Sequence, residues 1–122
     1  MLASLYYAKI FATQCDLAIR DFIPIFHRWI REKRGDELLI DVHDYSHVHD
    51  GPGVILVGHT CMYALDRTDG QLGLSYKRRR GEPLSIQTGL QHALAHAARG
   101  AEMLTEDSQG GIRFGCEDVV VG

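Results

Sequence analysis

What this chain has little of narrows its possibilities first. It holds only three cysteines, Cys15, Cys61 and Cys116, far apart and without a C-x-x-C spacing. That excludes a disulfide framework and a cysteine zinc knuckle, and it fits a reducing cytoplasm. Long apolar runs are also missing. The opening MLASLYYAKIFA is apolar but short, has no basic flank and carries Lys9 in its middle, so it reads as a first strand rather than a signal peptide or a bilayer span. No charge of one sign dominates, with 13 Lys and Arg against 16 Asp and Glu for a net charge of −3. Nothing in that balance calls for a nucleic-acid or membrane partner, and the one basic run is Lys77-Arg78-Arg79-Arg80. Nucleophile elbows, Walker loops and dinucleotide fingerprints are absent as well.

What remains is a chain of 122 residues, 45% hydrophobic and 24% charged, with no linker or low-complexity stretch, so a single domain of residues 1–122 is expected. Ser4 to Ala12, rich in Tyr, Ile and Phe, predicts a strand. In DFIPIFHRWIREKRG, Phe22, Ile25, Phe26, Trp29 and Ile30 recur at helical spacing, and basic residues precede Gly35 as a helix end prefers. Pro24 either lies in the first turn with Asp21 as cap, or kinks a helix that begins near Asp16. From Glu37 the period becomes two: Leu38, Ile40 and Val42 alternate with Asp41, His43, Tyr45 and His47. Asp50-Gly51-Pro52-Gly53 breaks that strand, Val54 to Asp66 reads as one long strand, and Leu72 to Lys77 as another. A second helix follows, with Ile86, Leu90, Leu94, Ala97, Ala101 and Leu104 as its apolar stripe, and Ile112 to Val121 closes the chain as a strand.

The order strand, helix, three strands, helix, strand predicts an α+β fold, an antiparallel sheet with two helices on one face. It is a ferredoxin-like β-α-β-β-β-α-β variant, the split βαβ plan with one strand added. The other face of the sheet is left open, and a homodimer or higher homo-oligomer is the expected way of covering it.

The chemistry-bearing residues concentrate in DVHDYSHVHDGPGVILVGH. Four of the seven histidines, His43, His47, His49 and His59, lie there beside Asp41, Asp44, Asp50 and Tyr45. A hairpin about Gly51-Pro52-Gly53 whose paired positions add to about 102 would set His43 opposite His59, Asp41 opposite Cys61 and Tyr45 opposite Val57. Asp41, His43, His47 and His59 are then a candidate set for a divalent ion such as Zn²⁺, Ni²⁺ or Fe²⁺, with Cys61 as a further donor. The same cluster suits acid–base catalysis by His43, His59 and Tyr45 on a small ligand, with Asp41 fixing an imidazole tautomer. A half-exposed strand packing at an interface accounts for the pattern without any site. A second pair, His92 and His96, has the i, i+4 spacing metals use. It falls opposite the predicted apolar stripe and has alanine where a zincin carries its glutamate, so a solvated surface pair is expected there. Lys77 to Arg80 precede the second helix and read as a solvated loop.

The segment Asp44-Tyr45-Ser46-His47-Val48, then Gly51-Pro52-Gly53-Val54 and Leu56-Val57-Gly58-His59, resembles a motif of small uncharacterised bacterial proteins of similar length. The resemblance implies no activity or cofactor and singles out Tyr45, His47 and His59. The expectation from sequence is therefore a cytoplasmic protein that binds a small ligand or a divalent metal at the open-face cluster. A cofactor-free dimeric α+β enzyme and an oligomeric assembly module are the alternatives.

Overall fold

The computed structural model describes residues 2–3, 5–35, 37–48, 51–68, 70–79, 81 and 84–121, with side chains for all of these except 2–3 and 116–121. Its elements are β1 (Leu2–Ala3), β2 (Tyr6–Cys15), a 3-10 turn (Ile19–Phe22), α1 (Ile23–Glu32), β3 (Leu39–Tyr45), β4 (Gly53–Gly58), β5 (Cys61–Asp66), β6 (Gly73–Arg78), β7 (Leu84–Ser85), α2 (Ile86–Asp107) and β8 (Ile112–Val121). The fold is α+β: six strands form one antiparallel sheet in the order β3-β4-β5-β6-β2-β8, while β1 and β7 pair separately.

Four strands of this sheet, not the expected three, lie between the helices, because Val54 to Asp66 is a hairpin rather than one strand. A Cβ added at Gly58 would stand 2.8 Å from both Cys61 Sγ and the Leu38 carbonyl oxygen. Only glycine fits, and the chain reverses through His59 and Thr60 to pair Val57 with Met62. The register between β3 and β4 also differs from expectation. His43 faces Ile55, Asp41 faces Val57 and Tyr45 faces Gly53, so paired numbers add to 98 rather than 102. The smaller sum follows because β3 ends at Tyr45 and β4 already begins at Gly53, whose φ of +69° and 2.0 Å approach of a Cβ to the Leu65 carbonyl oxygen exclude a side chain. A bulge between Leu39 and Asp41 turns Leu39 inward and leaves Leu38 and Ile40 exposed, so the alternation that groups them with Val42, which packs against the core, does not hold through this end of the strand.

Pro24 occupies the first turn of α1, where its missing N–H costs nothing. Asp21 caps the preceding 3-10 turn, accepting from the Ala18 backbone N–H at 2.9 Å, while Phe22 is the residue at the α1 N-cap. The helix ends at Lys33, which adopts a left-handed φ of 53°, two residues before Gly35. In α2, Ser85 is the N-cap and its hydroxyl accepts from the Thr88 N–H at 3.2 Å.

The face α2 buries is Gly89, Ala93, Ala97, Gly100, Ala101, Met103 and Leu104. Ile86 and Leu94, assigned to the stripe from sequence, are exposed. At 100° per residue the true face is turned by roughly 50° from the predicted one. Small residues cause the turn. Gly89 lies against the Tyr6 ring and Gly100 against Tyr63 and Leu74, so the helix backbone seats closely on the sheet. Both helices cover the same face, where Tyr6, Ala8 and Ile10 of β2, Leu74 and Tyr76 of β6, Phe26 and Trp29 of α1 and Ala97 and Leu104 of α2 share one core. Trp29 Nε1 donates to Asp107 Oδ2 at 2.6 Å, linking the two helices through their ends.

On the opposite face Lys9 is completely buried and its ammonium bonds Asp66 Oδ1 at 2.5 Å; the same oxygen accepts from the Thr68 N–H and hydroxyl. Among the described residues no helix is long and apolar enough to cross a membrane.

Candidate metal centre

The turn of α2 onto its small-residue face carries His92 and His96 to the border of the core instead of to solvent, correcting the expected surface pair. His96 is 16% exposed and His92 30%. Beneath them stands Tyr76 on the central strand β6, its ring stacked on His96 at 4.8 Å between centroids. From the loop before β3, Glu37 reaches the same point. His92 Nε2 lies 3.4 Å and His96 Nε2 3.2 Å from Glu37 Oε1, and the Tyr76 hydroxyl donates to that oxygen at 2.5 Å. The Thr60 hydroxyl, in the β4–β5 turn, donates to Glu37 Oε2 at 3.1 Å. Glu37, His92 and His96 each offer a donor atom within 4.8 Å of the others, the one such trio of His, Cys, Asp or Glu among the described residues.

Hydrogen positions follow from the partners. His96 Nδ1 is 2.9 Å from the His92 carbonyl oxygen, which can only accept. Nδ1 therefore carries the hydrogen, and in the neutral ring Nε2 presents a lone pair to the Glu37 carboxylate. Two acceptors at 3.2 Å repel unless a positive charge stands between or on them, which means a proton on Nε2 or a metal ion. A ligating histidine that donates its other N–H to a backbone carbonyl is the usual outer-shell arrangement of metal sites.

The distances suit an ion. Four ligands at ~2.0–2.1 Å from a tetrahedral centre are separated by about 3.3–3.4 Å, close to the 3.4 and 3.2 Å seen from the two imidazoles to Glu37. Protonation states suit it too. Burial raises the Glu37 pKa, but hydrogen bonds from Cys61 and Tyr76, the His96 charge and the Thr60 bond outweigh it and hold the carboxyl below its ordinary value. Burial, then repulsion from His96, holds His92 below its ordinary value, against the opposing pull of Glu37. At neutral pH the site thus presents a carboxylate and a neutral His92, as a metal requires. Burial and the neighbouring Glu37 push the Tyr76 phenol strongly upward, so it stays a hydrogen-bond donor. The Tyr76 hydroxyl also lies 3.0 Å from His92 Nε2. Its one hydrogen goes to Glu37, so in the metal-free site His92 donates to it, and metal entry asks His92 only to change tautomer.

The residues singled out from sequence are not gathered at one point. Asp41, His43 and Tyr45 stand exposed on β3, on the face away from the helices. His43 Nε2 is 3.8 Å from Asp41 Oδ2, and its ring stacks loosely on Tyr45 at 6.5 Å. His59 is in the two-residue turn between β4 and β5, beside a cleft of about 220 Å³ shared with Arg79 and Cys61. His47 follows β3 and borders another cleft with Arg20, Asp44 and Arg67. His49 and Asp50 lie outside the described residues. Sequence reasoning found the i, i+4 histidines but turned them the wrong way, and it passed over Glu37. The legible signal was the small-residue series Gly89, Ala93, Ala97 and Gly100, which marks the face of closest approach better than the larger side chains do.

Comparison with protein-family models, with curated proteins and with solved structures finds no match, so the reading of the site rests on its geometry.

Proposed function

We propose that this protein binds a divalent transition-metal ion through Glu37 Oε1, His92 Nε2 and His96 Nε2, in an open three-ligand centre that leaves a coordination position for an exchangeable ligand. The observation that carries the reading is the convergence of three donors, one each from Glu37, His92 and His96, within 4.8 Å of one another, with His96 Nε2 directed at the Glu37 carboxylate at 3.2 Å. Three protein ligands with a free position are the arrangement of catalytic rather than structural zinc sites, and two imidazoles with one carboxylate also suit Fe²⁺. The chemistry such an ion supplies is polarisation of a bound water or substrate oxygen. Tyr76 and Thr60 hold the carboxylate in place for it, and burial keeps His92 neutral.

A second reading has its own support in the continuous bonding of Tyr76, Glu37 and His96: a protonated His96 paired with Glu37, acting as an acid–base group without metal. The ferredoxin-like reading of the fold is kept with two added meander strands instead of one. A second copy over the exposed sheet face of β3 and β4 remains the proposed oligomer.

Metal content separates these readings. Untagged protein purified without chelating resin is expected to carry close to one ion per chain by plasma mass spectrometry. His92→Ala/His96→Ala loses it, and His43→Ala/His59→Ala keeps it. A metal-free wild type that also refuses added Zn²⁺, Fe²⁺ and Co²⁺ leaves the acid–base reading in its place.

A further inference from the structure

A small cavity borders the centre. A cavity of about 30 Å³ lies between the end of α1 and the middle of α2 and touches both Glu37 and His96. Its walls are Trp29, Leu39, Tyr63 and Met103, with Arg34 and Arg99 also on its lining. Larger clefts of about 520 Å³ lie elsewhere on the molecule and touch none of the three ligands.

Resting on the metal reading above, we propose that the exchangeable ligand of the ion is a small monovalent anion of two to four heavy atoms, such as formate, bicarbonate or azide. Size sets the upper limit. A space needs roughly 10–15 Å³ to hold one water, so about 30 Å³ holds one or two waters or a few-atom ion and cannot hold a ring. The walls resist widening, since Trp29 and Met103 are 1% and 4% exposed and Gly100 already packs against Tyr63 and Leu74.

Charge sets the sign. A divalent ion and one carboxylate leave a net single positive charge beside side chains that are mostly withdrawn from water. An unneutralised charge in such surroundings is costly, so an anion is favoured over a neutral ligand. The guanidinium groups do not supply this charge, because Arg34 pairs with Asp107 at 3.4 Å and Arg99 with Glu102 at 3.3 Å. They offer further N–H donors along the cavity. Binding is then a ligand exchange in which the anion displaces metal-bound water, with no change of oxidation state.

The test uses the full chain loaded with Co²⁺, whose visible absorption reports its coordination. Azide and formate are each expected to shift the Co²⁺ bands saturably, while benzoate at tenfold higher concentration leaves them unchanged. Met103→Ala, which widens the cavity, should admit benzoate while keeping the metal; should that variant not fold, the wild-type size series decides alone. Co²⁺ bands that neither azide nor formate moves, or that benzoate moves as readily as formate, overturn the anion inference and leave the metal site standing. Absence of Co²⁺ bands overturns the metal reading and the inference with it.

Discussion

Replacing Glu37 by glutamine separates the metal from the fold. Glutamine has the same shape, its carbonyl can still accept from Tyr76 or Thr60, and its amide N–H can donate toward His96 Nε2, 3.2 Å from the oxygen it replaces. In the presence of EDTA, Glu37→Gln should therefore unfold within about 1 kcal/mol of wild type, the scale of a single exchanged hydrogen bond. Metal reverses this equality. At a free ion concentration of 100 times Kd, a ligand that binds only the native state stabilises it by about 2.7 kcal/mol. With roughly 2.1 cal/mol/K of unfolding entropy per residue, 122 residues give ~0.26 kcal/mol/K, so wild-type Tm should rise by about 10 °C. Losing the one anionic ligand should weaken affinity by at least ~100-fold, beyond the 10–100-fold typical of outer-shell partners. The same ion concentration then equals Kd and stabilises the variant by only ~0.4 kcal/mol, or about 1.5 °C. Scanning calorimetry with and without EDTA reads all four values. A wild type that does not respond to Zn²⁺ or Co²⁺, or a variant that rises as far as wild type, refutes the assignment of Glu37 as a ligand.

Two further outcomes follow from the folded protein itself. His92 and Glu37 both have native pKa values below their ordinary ones, so the unfolded chain takes up each proton first as pH falls. The His92 contribution is complete above about pH 6.5 and the Glu37 contribution above about pH 4.5, near their ordinary values. Each is lost as pH falls through the native value. The urea midpoint with EDTA should accordingly decline on acidification from pH 7.5, with a shallower slope in His92→Gln; a midpoint that rises toward pH 5.5 contradicts the assignment. On the other side of the sheet, Lys9→Met strands Asp66 without its buried cation and should cost about 3–5 kcal/mol in urea unfolding, with partial recovery in Lys9→Met/Asp66→Asn. A loss below 1 kcal/mol would mean that the Lys9–Asp66 pair contributes little to the fold.

The elements were largely legible because their signals are local. Period-three-to-four spacing and a basic tail mark α1, an apolar repeat from Ile86 to Leu104 marks α2, and alternation marks β3. The misses share a cause, which is that the deciding interaction lies elsewhere in the chain. Gly58 inside an apolar run reads as a tolerated strand glycine until Cys61 and the Leu38 carbonyl are seen to occupy the space a Cβ would need. The face of α2 depends on whether leucines or glycines approach the sheet, and Tyr6, 83 positions before Gly89, decides it in favour of glycine. The crowded histidine segment drew attention because its members are neighbours in sequence. Asp41, His43 and Tyr45 do share one exposed face of β3, but His47 lies beyond the end of that strand and His59 in the turn between β4 and β5, so the set is spread apart.

The site that does form draws on elements of unequal rigidity, and this bears on how it would bind metal. His92 and His96 ride one helix four residues apart, with the His96 ring anchored to the backbone of His92 itself, so their spacing survives any motion of α2 as a body. Tyr76 projects from β6, a strand paired on both sides by β5 and β2. Glu37 alone comes from a loop, yet Tyr76 and Thr60 hold its two carboxylate oxygens separately, and the adjoining Leu38 carbonyl accepts from the His59 N–H at 2.8 Å. The β4–β5 turn that separates His59 from His43 thus also brings Thr60 to the carboxylate. Ordering of the ligands is accomplished in folding rather than at the moment of binding, and affinity is gained by reducing the entropy lost when the ion arrives. A loop carboxylate fastened at both oxygens beside two imidazoles on one helix turn is the arrangement expected of a preformed set of ligands for a cation from solution.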